Sequence, residues 1–179
     1  MGHIALLRSR RFTALAWVLG LALLVALSAN RGSAADPILT VTSGERSVSF
    51  TAADFQLLAH TDLTAFDPHQ KMEHRYSGVP MRDLLARVGA PLGDSLRGPA
   101  LRLAVVVRAK DGYATLYALA EFDENFSDRT LLLADSEDGK PLGEGAGPLR
   151  VVAFGDKRAA RWARMVKSIE VIQLPGAAP

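Results

Sequence analysis

Apolar residues in this chain fall into short alternating runs more often than into long helical stripes. Leu101, Leu103, Val105 and Val107 alternate with Arg102, Ala104, Val106 and Arg108, which is the period of a half-buried strand. Asp111-Gly112 then turns the chain into a partner strand over Tyr113–Ala118. Leu131–Ala134 and Arg150–Phe154 are apolar runs of buried-strand length, and Ser168–Leu174 alternates again around Ile169 and Val171. Nearer the start, Ile38–Thr42 and Arg46–Phe50 flank Ser43-Gly44-Glu45, a hairpin signal.

Helical patterns are few. Thr51-Ala-Ala-Asp54 reads as a capping box, with Phe50 and Phe55 placed as a hydrophobic staple around a helix reaching about Ala59. Pro80 at a first helical position, the stripe Met81, Leu84, Leu85, Val88, and Gly89 as a stop predict a second helix. His60–Tyr76 shows no period and is expected to be a long polar loop; Glu121–Arg129 is expected to be irregular. Many short strands, few short helices and no internal repeat predict an α+β domain with a mixed, largely antiparallel sheet.

The first 35 residues stand apart. Arg8, Arg10 and Arg11 precede an apolar run, Phe12–Leu27, and Ser33-Ala34-Ala35 has the small residues a signal peptidase needs. We read residues 1–35 as a cleaved signal peptide, 36–179 as a single domain, and the location as periplasmic. Phe12 follows the arginine pair directly and the run is rich in Leu and Val, so the Sec route is expected over the twin-arginine one. No later stretch is long and apolar enough to span a bilayer. Cleavage also changes the charge: the full chain carries 21 Lys+Arg and 19 Asp+Glu, and losing the four leader arginines leaves 17 against 19, a net −2. The basic excess therefore belongs to the leader and supports neither nucleic-acid nor membrane-surface binding. With no cysteine, an exported chain of this size has no disulfides and depends on its core.

Candidate chemistry gathers late in the chain. Asp138-Gly139 marks a turn, and Gly143, Gly145 and Gly147 follow at alternate positions before Pro148. Such a loop leaves backbone amides uncovered by Cβ atoms, so that it can approach another surface closely. A basic segment, Lys157–Lys167, comes after the strand that Arg150 opens. Together these predict a pocket for a small anion, with Gly145, Gly147, Arg150, Lys157, Arg158 and Arg161 as binding residues. Trp162 and Tyr113 are expected in the core. His60, His69 and His74 have no compact metal-ligand spacing, so no metal site is expected. No nucleophile elbow, P-loop or zinc-protease motif is present.

The same stretch resembles a known family. Gly139-Lys-Pro-Leu142, Gly147-Pro-Leu-Arg-Val-Val152 and Arg161-Trp162 before Ile169-Glu-Val171 look like the end of the molybdopterin-binding domain of the sulfite oxidase family. Two upstream pieces agree in order: Tyr76-Ser-Gly-Val-Pro-Met-Arg-Asp-Leu-Leu85, and Asp111-Gly-Tyr113 followed by Leu131–Ala134. The resemblance implies an oxidoreductase fold and molybdopterin as cofactor, held at the glycine loop and its basic residues. In that family a cysteine thiolate, in the stretch before the segment matched by Gly78-Val79-Pro80, binds molybdenum. This chain has no cysteine, and imidazole or carboxylate does not replace a thiolate toward that metal. The expectation is a pterin-binding, oxidoreductase-like domain without the cysteine-ligated chemistry, or a non-catalytic binding or sensory module on the same fold.

Overall fold

A computed structural model describes residues 35–175; the expected signal peptide lies outside the described residues except for Ala35. In chain order the elements are β1 (Leu39–Ser43), β2 (Arg46–Phe50), α1 (Ala52–Gln56), β3 (Thr61–Asp67), β4 (Met72–Pro80), α2 (Met81–Arg87), β5 (Leu103–Ala109), β6 (Ala114–Ala118), β7 (Leu131–Glu137), β8 (Lys140–Pro141), β9 (Arg150–Ala153) and β10 (Val166–Gln173). One sheet runs β2-β1-β10-β5-β6, and the other runs β3-β4-β7, with β8 and β9 both pairing with β7. Every pairing is antiparallel except β1 with β10. This is the mixed, largely antiparallel α+β arrangement that the short alternating runs predict. Among the described residues no helix is long and apolar enough to cross a membrane.

Local signals account for most boundaries. Gly44 takes a positive φ of 57° in the β1–β2 turn, where a Cβ would be strained. The Thr51 hydroxyl accepts from the Asp54 amide at 3.2 Å, and the Asp54 carboxylate accepts from the Thr51 amide at 2.9 Å, while Phe50 and Phe55 are both buried. Helix α1 ends at Gln56, three residues short of the sequence reading. His60 turns the chain there. Its Nδ1 lies 2.8 Å from the Leu58 carbonyl oxygen and its Nε2 3.0 Å from the carboxylate of Asp135 on β7, beside Gln56, whose amide reaches the same carboxylate. In α2, Met81, Leu84 and Leu85 are fully buried and Val88 nearly so, as the stripe predicts. Strand β5 is buried on both faces from Ala104 to Val107, not on one.

The largest correction concerns residues 60–76, which form a β-hairpin and not a loop. Alternation is present, but the inward positions of β3 and β4 include Asp67, His74 and Tyr76, all buried. Phe66, opposite Glu73, faces outward, and Met72, on the inward face opposite Asp67, is at the strand end; both are more than half exposed. Polar residues inside, with Phe66 outside and Met72 exposed at the strand end, erase the hydrophobic period that would have marked the strands.

At Gly78 the register between β4 and β7 shifts. A Cβ there would lie 2.2 Å from the Leu133 carbonyl oxygen and 2.5 Å from the Ala134 Cα. Backbone of a central strand cannot yield cheaply, so Gly78→Ala is expected to destabilise the domain by at least about 1–3 kcal/mol in urea unfolding. A wild-type midpoint in that variant would mean that the two strands can separate.

His60 makes stability pH-dependent. Burial, the largest single influence, disfavours its charge. The Leu58 carbonyl and the Asp135 and Asp62 carboxylates outweigh it and raise the pKa above the ordinary 6.5. A raised folded pKa gives stability that is full below the unfolded value and lost as pH rises through the folded one. The urea midpoint should therefore fall as pH rises from about 6 to 8, and this slope should flatten in His60→Gln.

Candidate functional site

Four strands of the second sheet converge on one ion pair. Asp67 closes β3, Tyr76 lies in β4 opposite Glu137 at the end of β7, and Arg150 opens β9. Arg150 is 5% exposed and Asp67 1%; one guanidinium nitrogen, Nη2, donates to the Asp67 carboxylate at 3.0 Å. The other, Nη1, lies 3.5 Å from the Tyr76 hydroxyl and 3.6 Å from Glu137. The cation lies against two rings that themselves meet edge to face, 5.3 Å from the centroid of Tyr76 and 5.4 Å from that of Trp162. Burial pushes the Asp67 carboxyl up, but donation from the Gln70 and His69 amides and the charge of Arg150 prevail and hold it below 3.8. Burial pushes the Tyr76 hydroxyl far above its usual range.

A cavity of about 760 Å³ opens over this pair. Asp67, Glu137, Arg150 and Trp162 line its inner part. Pro68, His69 and Gln70 from the β3–β4 turn form one rim, and Lys157, Arg158 and Arg164 another. The three rim cations are exposed and pair with no carboxylate among the described residues. They are nonetheless held in place. The segment carrying them is bonded along β9 by the Val151 amide to the Ala163 carbonyl at 2.8 Å and by the Trp162 Nε1 to the Ala153 carbonyl at 3.1 Å. At the inner wall the buried Arg150 Nε has no hydrogen-bond partner.

The residues expected to bind an anion separate into three groups. Arg150, Lys157 and Arg158 line the cavity. Arg161 does not: it is bidentate to Asp156 at 2.8 and 2.9 Å, binds Glu121 at 2.9 Å and stacks on Tyr117 at 4.8 Å. It clamps the 3-10 turn Ala159–Arg161, next to the rim. Gly145 and Gly147 are absent from the lining, which takes Ala146 between them. The Gly147 amide is spent on the Gly143 carbonyl, and a Cβ at Gly147 would meet the Leu142 carbonyl at 2.9 Å; this glycine packs its own loop. Arg150 pairs with Asp67 and Glu137, not with nearby Glu144. Trp162 is buried as expected but also faces the cavity, whereas Tyr113 is 48% exposed and not in the core. Arg164, Asp67 and Glu137 were missed. Nothing in the sequence distinguishes Arg164 from its basic neighbours, and the two acids lie 83 and 13 residues from Arg150.

The chain belongs to the oxidoreductase molybdopterin-binding domain family, whose model matches residues 38–178. Among solved structures it is similar to the sulfane dehydrogenase SoxCD from Paracoccus pantotrophus, at 20% identity and a TM-score of 0.56, covering 74% of this chain and 37% of that one. At that identity the likeness is one of fold, and this chain spans little more than a third of that longer protein. No curated protein matches it.

The donor set fits one part of molybdopterin and not the other. Three unpaired rim cations and an inner guanidinium nitrogen without a partner suit a phosphate and an electron-rich ring. Molybdenum held by a protein thiolate has no candidate ligand, because the chain has no cysteine.

Arg150 is structural whatever it binds. Arg150→Ala should cost roughly 3–5 kcal/mol, since it strands the Asp67 carboxylate in the interior; urea unfolding at pH 7 measures this. Because the folded pKa of Asp67 is lowered, its contribution is present above about 3.9 and lost as pH falls through the folded value. Asp67→Asn should therefore weaken the acid dependence of stability. An Arg150→Ala protein as stable as wild type would show the pair to be dispensable.

Proposed function

We propose that this domain is exported and binds a phosphorylated pterin, or an anion of the same chemistry, without cysteine-ligated molybdenum turnover. Lys157, Arg158 and Arg164 hold the phosphate, and Trp162 with the Arg150 guanidinium bounds the inner end. The observation that carries the reading is the rim of three cations, fixed by the β9 edge and unpaired, above a cavity of about 760 Å³. Surface cations cost little to leave unpaired in water, but fixing three around one concavity builds a positive field that a neutral or cationic ligand would not use. Where molybdopterin is complete, it supplies a molybdenum redox centre. Here the residues present bind and orient the organic part only, which favours a ligand-binding or sensory role over catalysis. Export rests on the leader: the arginine cluster, the apolar run and the Ser33-Ala34-Ala35 site. Mass spectrometry of the native protein should then find Asp36 at the N-terminus.

Binding is tested by thermal unfolding of the full chain with inorganic phosphate and with a pterin monophosphate. A ligand that prefers the folded state raises the melting temperature with its concentration over its Kd. Lys157→Ala and Arg158→Ala should each weaken that increment, by up to about 1.5–3 kcal/mol of binding for a charged hydrogen bond. Their unliganded stability should stay within about 0.5 kcal/mol of wild type, as for exposed sites. Arg150 is unsuitable for this test because its loss unsettles the fold. No shift with either ligand, or an equal shift in both variants, would overturn the reading.

A further inference from the structure

Beside the cavity, and outside the proposed anion contacts, β4 and the β7–β8 turn bring together an imidazole and two carboxylates. His74 is 7% exposed. Its Nδ1 lies 2.7 Å from an Asp138 carboxylate oxygen, Oδ2, and 3.1 Å from a Glu137 one, Oε1. Neither strand alone foreshadows this, since 63 residues separate His74 from Glu137. The pairing of Tyr76 with Glu137 and the bond from the Asp138 amide to the Arg75 carbonyl, 2.7 Å, force the approach. Asp138 and Gly139 both have positive φ, 51° and 75°, the signature of a tight two-residue hairpin turn that holds both acids in place.

Hydrogen-bond arithmetic leaves this cluster one positive group short. On its Nδ1 side the ring offers at most one hydrogen, whether His74 is neutral or charged, and two carboxylates face it. Its Nε2 is buried without a partner among the described residues, so no proton placement satisfies the whole ring. Each acid is already oriented from outside. The Arg75 amide donates to the second Asp138 oxygen, Oδ1, at 2.9 Å, and Gln70 donates to Glu137 at 2.9 Å. Arg150, 3.6 Å from Glu137, is the buried cation nearby and is shared with Asp67, while Lys140 next to Asp138 is exposed.

We infer that His74 Nδ1, Glu137 and Asp138 form a binding site for a divalent transition-metal ion such as Zn2+, with water completing its coordination. One imidazole and two carboxylates are a donor set that suits zinc. The three ligand atoms lie within 4.8 Å of one another. Ligands about 2.0–2.2 Å from a tetrahedral ion stand roughly 3.3–3.5 Å apart, so the His74 contact at 3.1 Å to Glu137 needs to open by about 0.2–0.4 Å and the one at 2.7 Å to Asp138 by about 0.6–0.8 Å. Asp138, 57% exposed on its turn, can make that adjustment and leaves an entry path from solvent. The ion displaces the single shared hydrogen and neutralises both acids. Because Glu137 also lines the cavity, it places positive charge at the cavity wall.

The test is calorimetric titration of the metal-free full-length protein with Zn2+ alone, with thermal unfolding alongside and no phosphate present. Saturable binding of one ion and a rise in melting temperature are expected. Asp138→Asn keeps the turn, since asparagine tolerates positive φ, and keeps an acceptor for the Arg75 amide, yet should lower affinity more than about tenfold, the least that losing even an orienting partner costs a metal site. Glu137→Gln should do the same. His74→Ala should abolish binding, and the two carboxylate variants keep the test valid if that buried change prevents folding. Absence of saturable binding in wild type, or unchanged affinity in both Asp138→Asn and Glu137→Gln, would overturn the inference. Neither result depends on whether the cavity binds an anion.

Discussion

The Asp67–Arg150 pair is the constraint around which the second sheet and its cavity are arranged. A buried guanidinium is tolerable only when its charge is matched and its donors are used. Meeting that demand recruits residues from four elements: Asp67 from β3, Tyr76 from β4, Glu137 from β7 and the Trp162 ring from the segment leading to β10. Asp67 in turn accepts from the amides of His69 and Gln70 at 2.7 and 3.1 Å, which ties the β3–β4 turn to the same point. The cavity rim and its inner wall are thus one polar network, so the shape of the opening is fixed by the same contacts that stabilise the sheet.

The arginines and lysines near this network do different work, and their partners separate them. The charges of Arg150 and Arg161 are matched by carboxylates, one within the sheet and the other across Asp156 and Glu121. Lys157, Arg158 and Arg164 have no such partners among the described residues and remain available at the rim. Two clamped cations thus hold three free ones in position. Only the backbone entropy of the rim is reduced in this way; the exposed rim side chains keep rotamer freedom that a ligand has to overcome.

Molybdopterin-binding membership and the absence of cysteine are reconciled by treating the fold and its chemistry as separable. The two sheets, the β9 edge and the basic segment persist without any metal-ligating thiol. The surrounding polar network does not need the metal, since its buried charges are matched internally, apart from the His74 cluster that stands beside it.

Much of the fold was legible because local chemistry agreed with tertiary need. The capping box at Thr51, the stripe of α2, the Gly44 and Asp138-Gly139 turns and the apolar runs of β5, β7 and β9 are short-range patterns, and each lies where it was read. The strands β3 and β4 were illegible because their inward positions hold Asp67, His74 and Tyr76, so burial there follows hydrogen bonding and not hydrophobicity. The site was half legible for a related reason. Arg150, Lys157 and Arg158 could be found as basic residues near a glycine loop, yet composition says nothing of where a side chain points. By itself the sequence determined the elements other than β3 and β4, the α+β class and the family. Only the tertiary structure decided that Arg150 is held by Asp67 and Glu137, that Arg161 faces away, and that His74 meets Glu137 and Asp138. Those partners lie up to 83 residues apart, and strand register alone brings them within bonding distance.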